Sequence, residues 1–317
     1  MNIVVLDGYT LNPGDLDWSA LQQLGNVTIY DRSTPEQIIE RAQDAAIILV
    51  NKVILNEATL NQLPQLRYIG VMATGYNNVD IDTARKNNVV VTNVKAYGAA
   101  SAAQHTFALI LTLTTHLELH SQTVFEGDWS RSADFCYWKT PLIELAGKTI
   151  GLIGLGDIGS QVARIAQAFG MQVIAYRKNP QNTTDTHIEM ASLEDVFKRS
   201  DVLSLHCPLT EETKGLVNSE RLSWMKPSAF IINTGRGPLI HEGDLAEALK
   251  NKVIAGAGLD VLSTEPPASN NPLLTAPNCI ITPHIAWASF EARKRLLRMV
   301  ENNIEAFQKG EPISVVS

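Results

Sequence analysis

One short segment constrains this chain of 317 residues more than any other: the glycine-rich turn Gly154-Leu155-Gly156-Asp157-Ile158-Gly159. The apolar run Thr149–Ile153 predicts a strand directly before it, and the pattern of Asp157–Phe169 predicts a helix that begins inside it. A GxGxxG turn in this setting is typical of dinucleotide-binding domains, because its glycines allow a tight turn, close approach of a pyrophosphate and close helix–strand packing. The helix N-terminus adds unpaired N–H groups for the phosphates. We therefore expect Gly154, Gly156, Asp157, Ile158 and Gly159 to contact a cofactor.

Short apolar runs alternate with helical patterns along most of the chain, which predicts parallel sheets covered by helices. In the first hundred residues the predicted strands are Ile3–Leu6, Val27–Tyr30, Ile47–Val50, Tyr68–Val71 and Val89–Val91, and the predicted helices are Leu16–Leu24, Pro35–Ala45, Asn56–Gln62 and Asp80–Asn87. A second series of predicted strands comprises Thr149–Ile153, Gln172–Tyr176, Val202–Leu205, Ala229–Ile232, Val253–Gly256 and Cys279–Ile281. The fold class is therefore α/β, with two doubly wound parallel-sheet domains.

The connection between the two series and the end of the chain suggest how the domains are arranged. An apolar helix pattern runs from Ala99 to Leu119, a polar and aromatic segment covers Phe125–Gly147, and a last helix is predicted over Phe290–Phe307. A terminal helix that follows the second unit can pack back on the first. We expect a Rossmann nucleotide-binding domain (100–285) inserted in a flavodoxin-like substrate domain (1–99 plus 286–317).

Composition excludes several classes of function. The formal net charge of −7 argues against a nucleic-acid partner or an anionic membrane. The N-terminus reads as a strand rather than a signal peptide, and no apolar stretch reaches the roughly 18 residues of a membrane span. Cys136, Cys207 and Cys279 are far apart, which indicates neither disulfides nor a zinc site and fits a reducing cytoplasm. His116 and His120 are spaced for a metal site but have no third ligand, so a polar helix face is favoured and no metal is expected. The sequon Asn182-Thr183-Thr184 is not interpreted as a glycosylation site.

The residue after the second strand of the nucleotide unit bears on the choice of cofactor. NAD enzymes usually place an acidic side chain there, to bind the ribose 2′-hydroxyl. Here Tyr176 is followed by Arg177 and Lys178. An arginine can hold a 2′-phosphate with two donors, whereas a carboxylate would repel it. The sequence therefore predicts NADP, or NAD with NADPH accepted; the alternative is an exposed arginine, with NAD bound by other contacts.

Three more segments each follow a predicted strand of the same sheet, where ligands of such sheets bind. They contain Arg236, Glu265 and His284. The three side chains could therefore converge beside the nicotinamide of the cofactor.

With these residues the chain resembles the D-isomer-specific 2-hydroxyacid dehydrogenase family, and within it the glycerate dehydrogenase (hydroxypyruvate reductase) group. The family motifs are Gly154–Gly159, His206-Cys207-Pro208-Leu209-Thr210, Thr234–Gly237, Gly258–Val261, Glu265-Pro266 and Pro283-His284, and they extend over nearly the whole chain. The finer match rests on Leu6–Gly14, Ala73-Thr74-Gly75-Tyr76-Asn77 and Phe135-Cys136-Tyr137-Trp138. The resemblance implies a homodimer that reduces a 2-oxo acid, which needs hydride at C2 and a proton at the carbonyl oxygen. His284 would give the proton, since an imidazole has an ordinary pKa of about 6.5. Glu265 would orient the ring, and Arg236 would pair with the substrate carboxylate and polarise the carbonyl.

The resemblance also implies the remaining binding residues. Besides the glycine turn, Arg177 and Lys178, the cofactor is expected to contact His206, Cys207, Pro208, Thr213, Thr234, Gly235, Asp260 and Ala286. Asp260 would bind the nicotinamide carboxamide. The substrate is expected to contact Arg236, Thr74, Gly75 and Tyr76. Lys52 follows another predicted strand on the same edge of the sheet and could add positive charge for the substrate, although an exposed lysine is an equal alternative. Trp138 would reach the partner's active site, with simple packing as its alternative.

The predicted function is reduction of hydroxypyruvate or glyoxylate to D-glycerate or glycolate. Two alternatives stay open at this stage. One is another member of the family, such as a short phosphoglycerate dehydrogenase; formate dehydrogenases are disfavoured, because they carry Gln in place of the Glu. The other is a cofactor-sensing interaction protein, like the transcriptional corepressors that share this fold.

Overall fold

A computed structural model of the chain describes residues 1–178 and 187–317; the sequon at 182–184 lies outside this part. The chain divides into two compact units, Met1–Gly98 with Ala288–Ser317, and Ala99–Trp287. Each unit contains one sheet, and the pairings between named strands in both sheets are parallel. The prediction of two parallel-sheet α/β domains is confirmed.

The sheet of the first unit has five strands in the order β2-β1-β3-β4-β5, which is the flavodoxin-like order. Its strands are β1 (Asn2–Val5), β2 (Asn26–Ile29), β3 (Ile47–Val50), β4 (Tyr68–Val71) and β5 (Val90–Thr92). The helices between them are α1 (Ser19–Gln22), α2 (Gln37–Ala42), α3 (Glu57–Leu60) and α4 (Ile81–Lys86). Every residue of β3 and β4 is buried, as expected of central parallel strands covered on both faces.

The second unit begins with the helices α5 (Ala99–Thr115) and α6 (Leu117–Phe125). Its strands are β6 (Thr149–Ile153), β7 (Gln172–Tyr176), β8 (Ile188–Met190), β9 (Val202–Leu205), β10 (Phe230–Asn233), β11 (Gly256–Leu259) and β12 (Cys279–Ile281). The helices among them are α7 (Asp157–Ala168), α8 (Leu193–Arg199), α9 (Ser219–Trp224) and α10 (Glu242–Lys250). The order β12-β11-β10-β9-β6-β7-β8 is that of a Rossmann sheet with one extra strand. Successive strands are added on one side of β6 up to β8 and on its other side from β9 onward. This reversal of strand order between β6 and β9 creates the crevice where such sheets bind ligands.

Two sequence predictions in this unit were wrong. The strand predicted at Val253–Gly256 was wrong, because β11 lies three residues later and contains Gly256 and Gly258. Helix α5 packs closely on this strand: a Cβ at Gly258 would lie 3.0 Å from the Leu109 Cβ. Glycine therefore allows close packing of the helix on a strand that local propensity disfavours.

The second wrong prediction concerned the long helix, which does not continue to Leu119. His116 has a left-handed backbone (φ 46°, ψ 43°) and separates α5 from α6. The short edge strand β8 was not predicted, since three residues carry little periodic signal.

The last helix, α11 (Phe290–Gln308), belongs to the first unit. Arg293 is buried and forms a two-pronged ion pair with Asp15, with N–O distances of 2.7 and 2.6 Å. It also donates to the Leu11 carbonyl, so one side chain ties the helix to the loop after β1. Among the described residues, no helix is both long and apolar enough to cross a membrane.

Candidate active site

The glycine turn lies between β6 and α7, and each of its glycines has its own steric environment. A Cβ at Gly154 (φ 99°) would lie 2.6 Å from the His206 carbonyl carbon, and one at Gly159 would collide with the Gly154 carbonyl oxygen. A Cβ at Gly156 would meet nothing within 4 Å. The turn is thus packed on its inner side and open at Gly156, where Asp157 and Ile158 begin the helix. A diphosphate fits this open backbone at a helix N-terminus.

The chain leaves β7 through Arg177, which is half-buried, and Lys178, which is exposed. The Lys178 ammonium donates to both carboxylate oxygens of Glu212, at 2.9 and 2.7 Å. This ion pair raises the pKa of Lys178. Two cationic side chains therefore follow β7, and one of them is already paired with a carboxylate.

The loop after β9 carries four of the residues that were predicted to contact the cofactor. His206 accepts or donates a 2.9 Å hydrogen bond between its Nε2 and the Ser204 hydroxyl, and burial lowers its pKa to about 4. Burial raises the pKa of the Cys207 thiol to about 11. Both side chains are thus neutral near pH 7. Thr213 donates its hydroxyl to the Pro208 carbonyl and so closes the loop.

The turn after β10 places Arg236 beyond the carboxyl end of this central strand. The buried Asn233 accepts the Gly235 N–H and donates to the Arg236 carbonyl, and these bonds fix the turn. A Cβ at Gly237 would overlap the backbone of residues 262 and 263, so this turn packs directly on the loop that leads to Glu265. Thr234 is buried against α5, with its hydroxyl 3.1 Å from that of Thr106. Sequence reasoning gave Asn233 no role.

Glu265 and His284 come together although they follow different strands. The His284 Nδ1 lies 2.6 Å from the Glu265 Oε2, and the other carboxylate oxygen of Glu265 accepts the Leu262 N–H. Both side chains are accessible, with 28% exposure for His284 and 36% for Glu265. The pair can orient an imidazole and stabilise its protonated form beside a ligand.

Asp260, directly after β11, is 1% exposed and lies beneath His284. Its carboxylate accepts the Thr282 hydroxyl (2.6 Å) and the N–H groups of Ile285 (2.9 Å) and Ala286 (2.8 Å). An ionised carboxylate has about four lone-pair sites, so most of its capacity is used within the protein. Contact between Asp260 and a carboxamide stays a prediction.

The predicted substrate residues of the first unit lie in two loops at strand ends. In the loop after β3, the N–H groups of Asn51, Lys52 and Val53 donate to the Asp7 carboxylate, at 2.7, 2.6 and 2.9 Å. After β4, the Thr74 hydroxyl donates to the Val94 carbonyl, and Gly75 and Tyr76 follow at the surface. Sequence reasoning gave Asp7 no role, although it fixes the backbone that carries Lys52.

The segment from α6 to residue 142 exposes several large apolar side chains. Phe125 and Phe135 are each 88% exposed, Leu117 is 73% exposed and Trp138 is 67% exposed. In the same segment, His120 accepts the Lys139 N–H at Nε2, so its Nδ1 donates to the His116 carbonyl. Within the described residues there is no group of three or more His, Cys, Asp or Glu side chains that could hold a metal ion.

Comparison with known proteins places these features in one family. Residues 107–286 match the model of the D-isomer-specific 2-hydroxyacid dehydrogenase NAD-binding domain. The chain is 49% identical to a hydroxypyruvate reductase of Blautia hydrogenotrophica over 324 aligned residues, covering 100% of both chains. It is 42% identical to a glycerate dehydrogenase of Methylorubrum extorquens, covering 89% of each.

A solved structure with the same fold is similar throughout. It is an NADPH-dependent glyoxylate/hydroxypyruvate reductase from Sinorhizobium meliloti in complex with citrate. The TM-score is 0.83 and the identity 29%, with coverage of 100% of this chain and 97% of the other.

Proposed function

Because the chain belongs to the D-isomer-specific 2-hydroxyacid dehydrogenase family, we propose that it reduces hydroxypyruvate, and also glyoxylate, with NAD(P)H. The observation that carries this proposal is the 2.6 Å pair of His284 and Glu265, in the unit that also holds Arg236 and the glycine turn. Reversal of the reaction oxidises D-glycerate. The unit Ala99–Trp287 is assigned to the cofactor, and the unit with Met1–Gly98 to the substrate.

The proposed mechanism uses three side chains. The reduced nicotinamide, when bound, supplies the hydride that C2 of the oxo acid receives. Arg236 pairs with the substrate carboxylate and draws electron density toward the carbonyl oxygen. His284 gives its Nε2 proton to that oxygen, so that the products are the 2-hydroxy acid and the oxidised cofactor. Glu265 holds the Nδ1–H and stabilises the imidazolium before the transfer.

The remaining binding residues are proposals of the same kind. Thr74, Gly75 and Tyr76 would offer backbone N–H groups to the substrate carboxylate, and Lys52 would add positive charge. Thr234, Gly235, Ala286, Pro208 and Thr213 would line the cofactor together with the glycine turn. The three described cysteines are free thiols, which supports a reducing compartment such as the cytoplasm.

A substrate panel tests the assignment. We expect hydroxypyruvate and glyoxylate to give the highest kcat/KM among small 2-oxo acids such as pyruvate, 2-oxobutyrate and phosphohydroxypyruvate. A preference for phosphohydroxypyruvate would instead identify a short phosphoglycerate dehydrogenase.

For the cofactor we propose that Arg177 binds a 2′-phosphate, because the other cation, Lys178, is already paired with Glu212. Arg177→Gln should lower kcat/KM for NADPH about 10- to 100-fold, the value of a charge-assisted hydrogen-bond pair, and change that for NADH less than about threefold. Steady-state kinetics with both cofactors measure this. Arg199→Gln is a matched control, since it also removes one guanidinium from this unit. Arg199 lies on α8 and forms an ion pair with Glu189 on β8. Equal losses with NADPH and NADH would contradict a role in 2′-phosphate binding.

We also propose a homodimer formed through the exposed apolar segment of residues 117–142. Exposed side chains as large as Phe125, Phe135 and Trp138 in one segment favour burial against a second copy. The double variant Phe125→Glu with Phe135→Glu should shift the protein from dimer to monomer in sedimentation velocity, because two buried charges oppose association. Leu274→Glu is the control, since Leu274 is 46% exposed outside this segment. A double variant that stays dimeric would place the interface elsewhere.

A further inference from the structure

His105, on α5, lies against the loop that carries His284. Its Nε2 is 2.9 Å from the Thr282 hydroxyl oxygen and 3.4 Å from the Asp260 Oδ1. The His105 side chain is 19% exposed and that of Asp260 is 0% exposed, so these contacts are shielded from water. The sequence motifs gave this histidine no role.

The hydrogen-bond pattern determines which atom carries the proton. Thr282 has one hydroxyl proton, and its oxygen lies 2.6 Å from the Asp260 carboxylate, which can only accept. The Thr282 hydroxyl therefore donates its hydrogen bond to Asp260, and the Thr282 oxygen must accept a hydrogen bond from His105. Hence the Nε2 of His105 carries hydrogen, and the chain of donors runs from His105 through Thr282 to Asp260.

Asp260 in turn binds residues on both sides of His284. The Thr282 side-chain hydroxyl donates to its carboxylate from two residues before, and the Ile285 and Ala286 backbone N–H groups donate to it from just after. Between them His284 has a left-handed backbone (φ 54°), and its N–H donates to the Asp260 carbonyl at 2.8 Å. A left-handed conformation is strained for a non-glycine residue, so it persists only where neighbouring contacts impose it.

We propose that His105 is a positioning residue for His284: it donates the hydrogen bond that completes the Thr282–Asp260 clamp and so keeps the proton donor in its left-handed conformation. The part of this inference that concerns catalysis rests on the proposed function. The clamp itself does not, because it is defined by bonds within the second unit.

Two variants of nearly equal shape isolate the donor. His105→Gln places an amide N–H near the position of Nε2, whereas His105→Met has the same length without a donor. Hydrogen exchange of the peptide covering residues 282–287 reports on the clamp without any substrate. We expect exchange to accelerate about tenfold in the Met variant, as loss of one hydrogen bond to a charged network predicts, and to stay near wild type in the Gln variant.

Kinetics then test the consequence. In His105→Met, kcat should fall about tenfold while KM for the oxo acid and Kd for the cofactor change less than about twofold, with recovery in His105→Gln. His241→Asn controls for loss of a histidine, since His241 is an exposed residue that caps α10. Wild-type exchange in both His105 variants would overturn the clamp. Equal acceleration in both would assign His105 to packing. Absence of turnover in the wild type would defeat the proposed function and leave the exchange result intact.

Discussion

Replacing His284 by Asn is expected to lower kcat for hydroxypyruvate reduction by about 10³-fold, within the range for loss of a positioned general acid. Asn suits this position because, like His, it tolerates the left-handed backbone that His284 adopts (φ 54°). The loop should therefore keep its shape while the proton donor is lost. Stopped-flow and steady-state absorbance of the reduced nicotinamide measure the rate.

Cofactor binding provides the internal control for this variant. The Kd of NADPH should stay within about threefold of wild type, because the phosphates bind at the glycine turn and not at His284. Glu265→Gln should give a smaller loss of about 10- to 100-fold, since the amide can still orient the ring but cannot stabilise the imidazolium. A His284→Asn enzyme that retains even a tenth of wild-type kcat would show that the proton comes from another group.

Replacing Arg236 by Gln is expected to lower kcat/KM for hydroxypyruvate about 10²- to 10³-fold, as loss of one partner of a hydrogen-bonded charge pair does. The effect should depend on the substrate carboxylate. Dihydroxyacetone, in which a hydroxymethyl group replaces the carboxylate, is a matched neutral ketone, and we expect the wild type to reduce it slowly. Its kcat/KM should change less than about threefold in the variant, because there is no charge pair to lose.

The conservative variant refines this result. Arg236→Lys keeps the positive charge but not the planar pair of donors, and it should recover only part of the activity. If hydroxypyruvate and dihydroxyacetone lose rate equally in Arg236→Gln, Arg236 supports the turn after β10 rather than the substrate.

Most strands of the two sheets were predictable from the sequence, because central parallel strands are continuous apolar runs. β3, β4, β6, β7 and β9 were predicted at their observed bounds. The strand β11 was misplaced, since its sequence Gly-Ala-Gly-Leu has little strand propensity and is accounted for only by the close packing of Leu109 on Gly258. The break at His116 likewise has no local signal in a sequence whose apolar pattern continues through it.

The candidate site likewise contains residues that the sequence predicts and residues that only the structure brings into contact. Arg236, Glu265 and His284 stand in short motifs, so a single sequence was enough to predict them as catalytic candidates. The residues that fix the surrounding backbone act across long separations. His105 contacts Thr282, two residues before His284, over 177 positions, and Asp7 binds the Asn51 N–H, beside Lys52, over 44 positions. Such contacts depend on how the strands are ordered, and no local pattern encodes them.

The most direct test of the central claim is conversion of hydroxypyruvate by the purified wild-type protein with NADPH and, separately, NADH. Oxidation of the cofactor is followed by absorbance, and the product is identified by chiral chromatography. We predict that each hydroxypyruvate consumed yields one D-glycerate and one oxidised cofactor, at a kcat of about 1–10³ s⁻¹, the usual range for enzymes. Tight binding of either cofactor without turnover of any 2-oxo acid would contradict this account and indicate a cofactor-sensing protein instead.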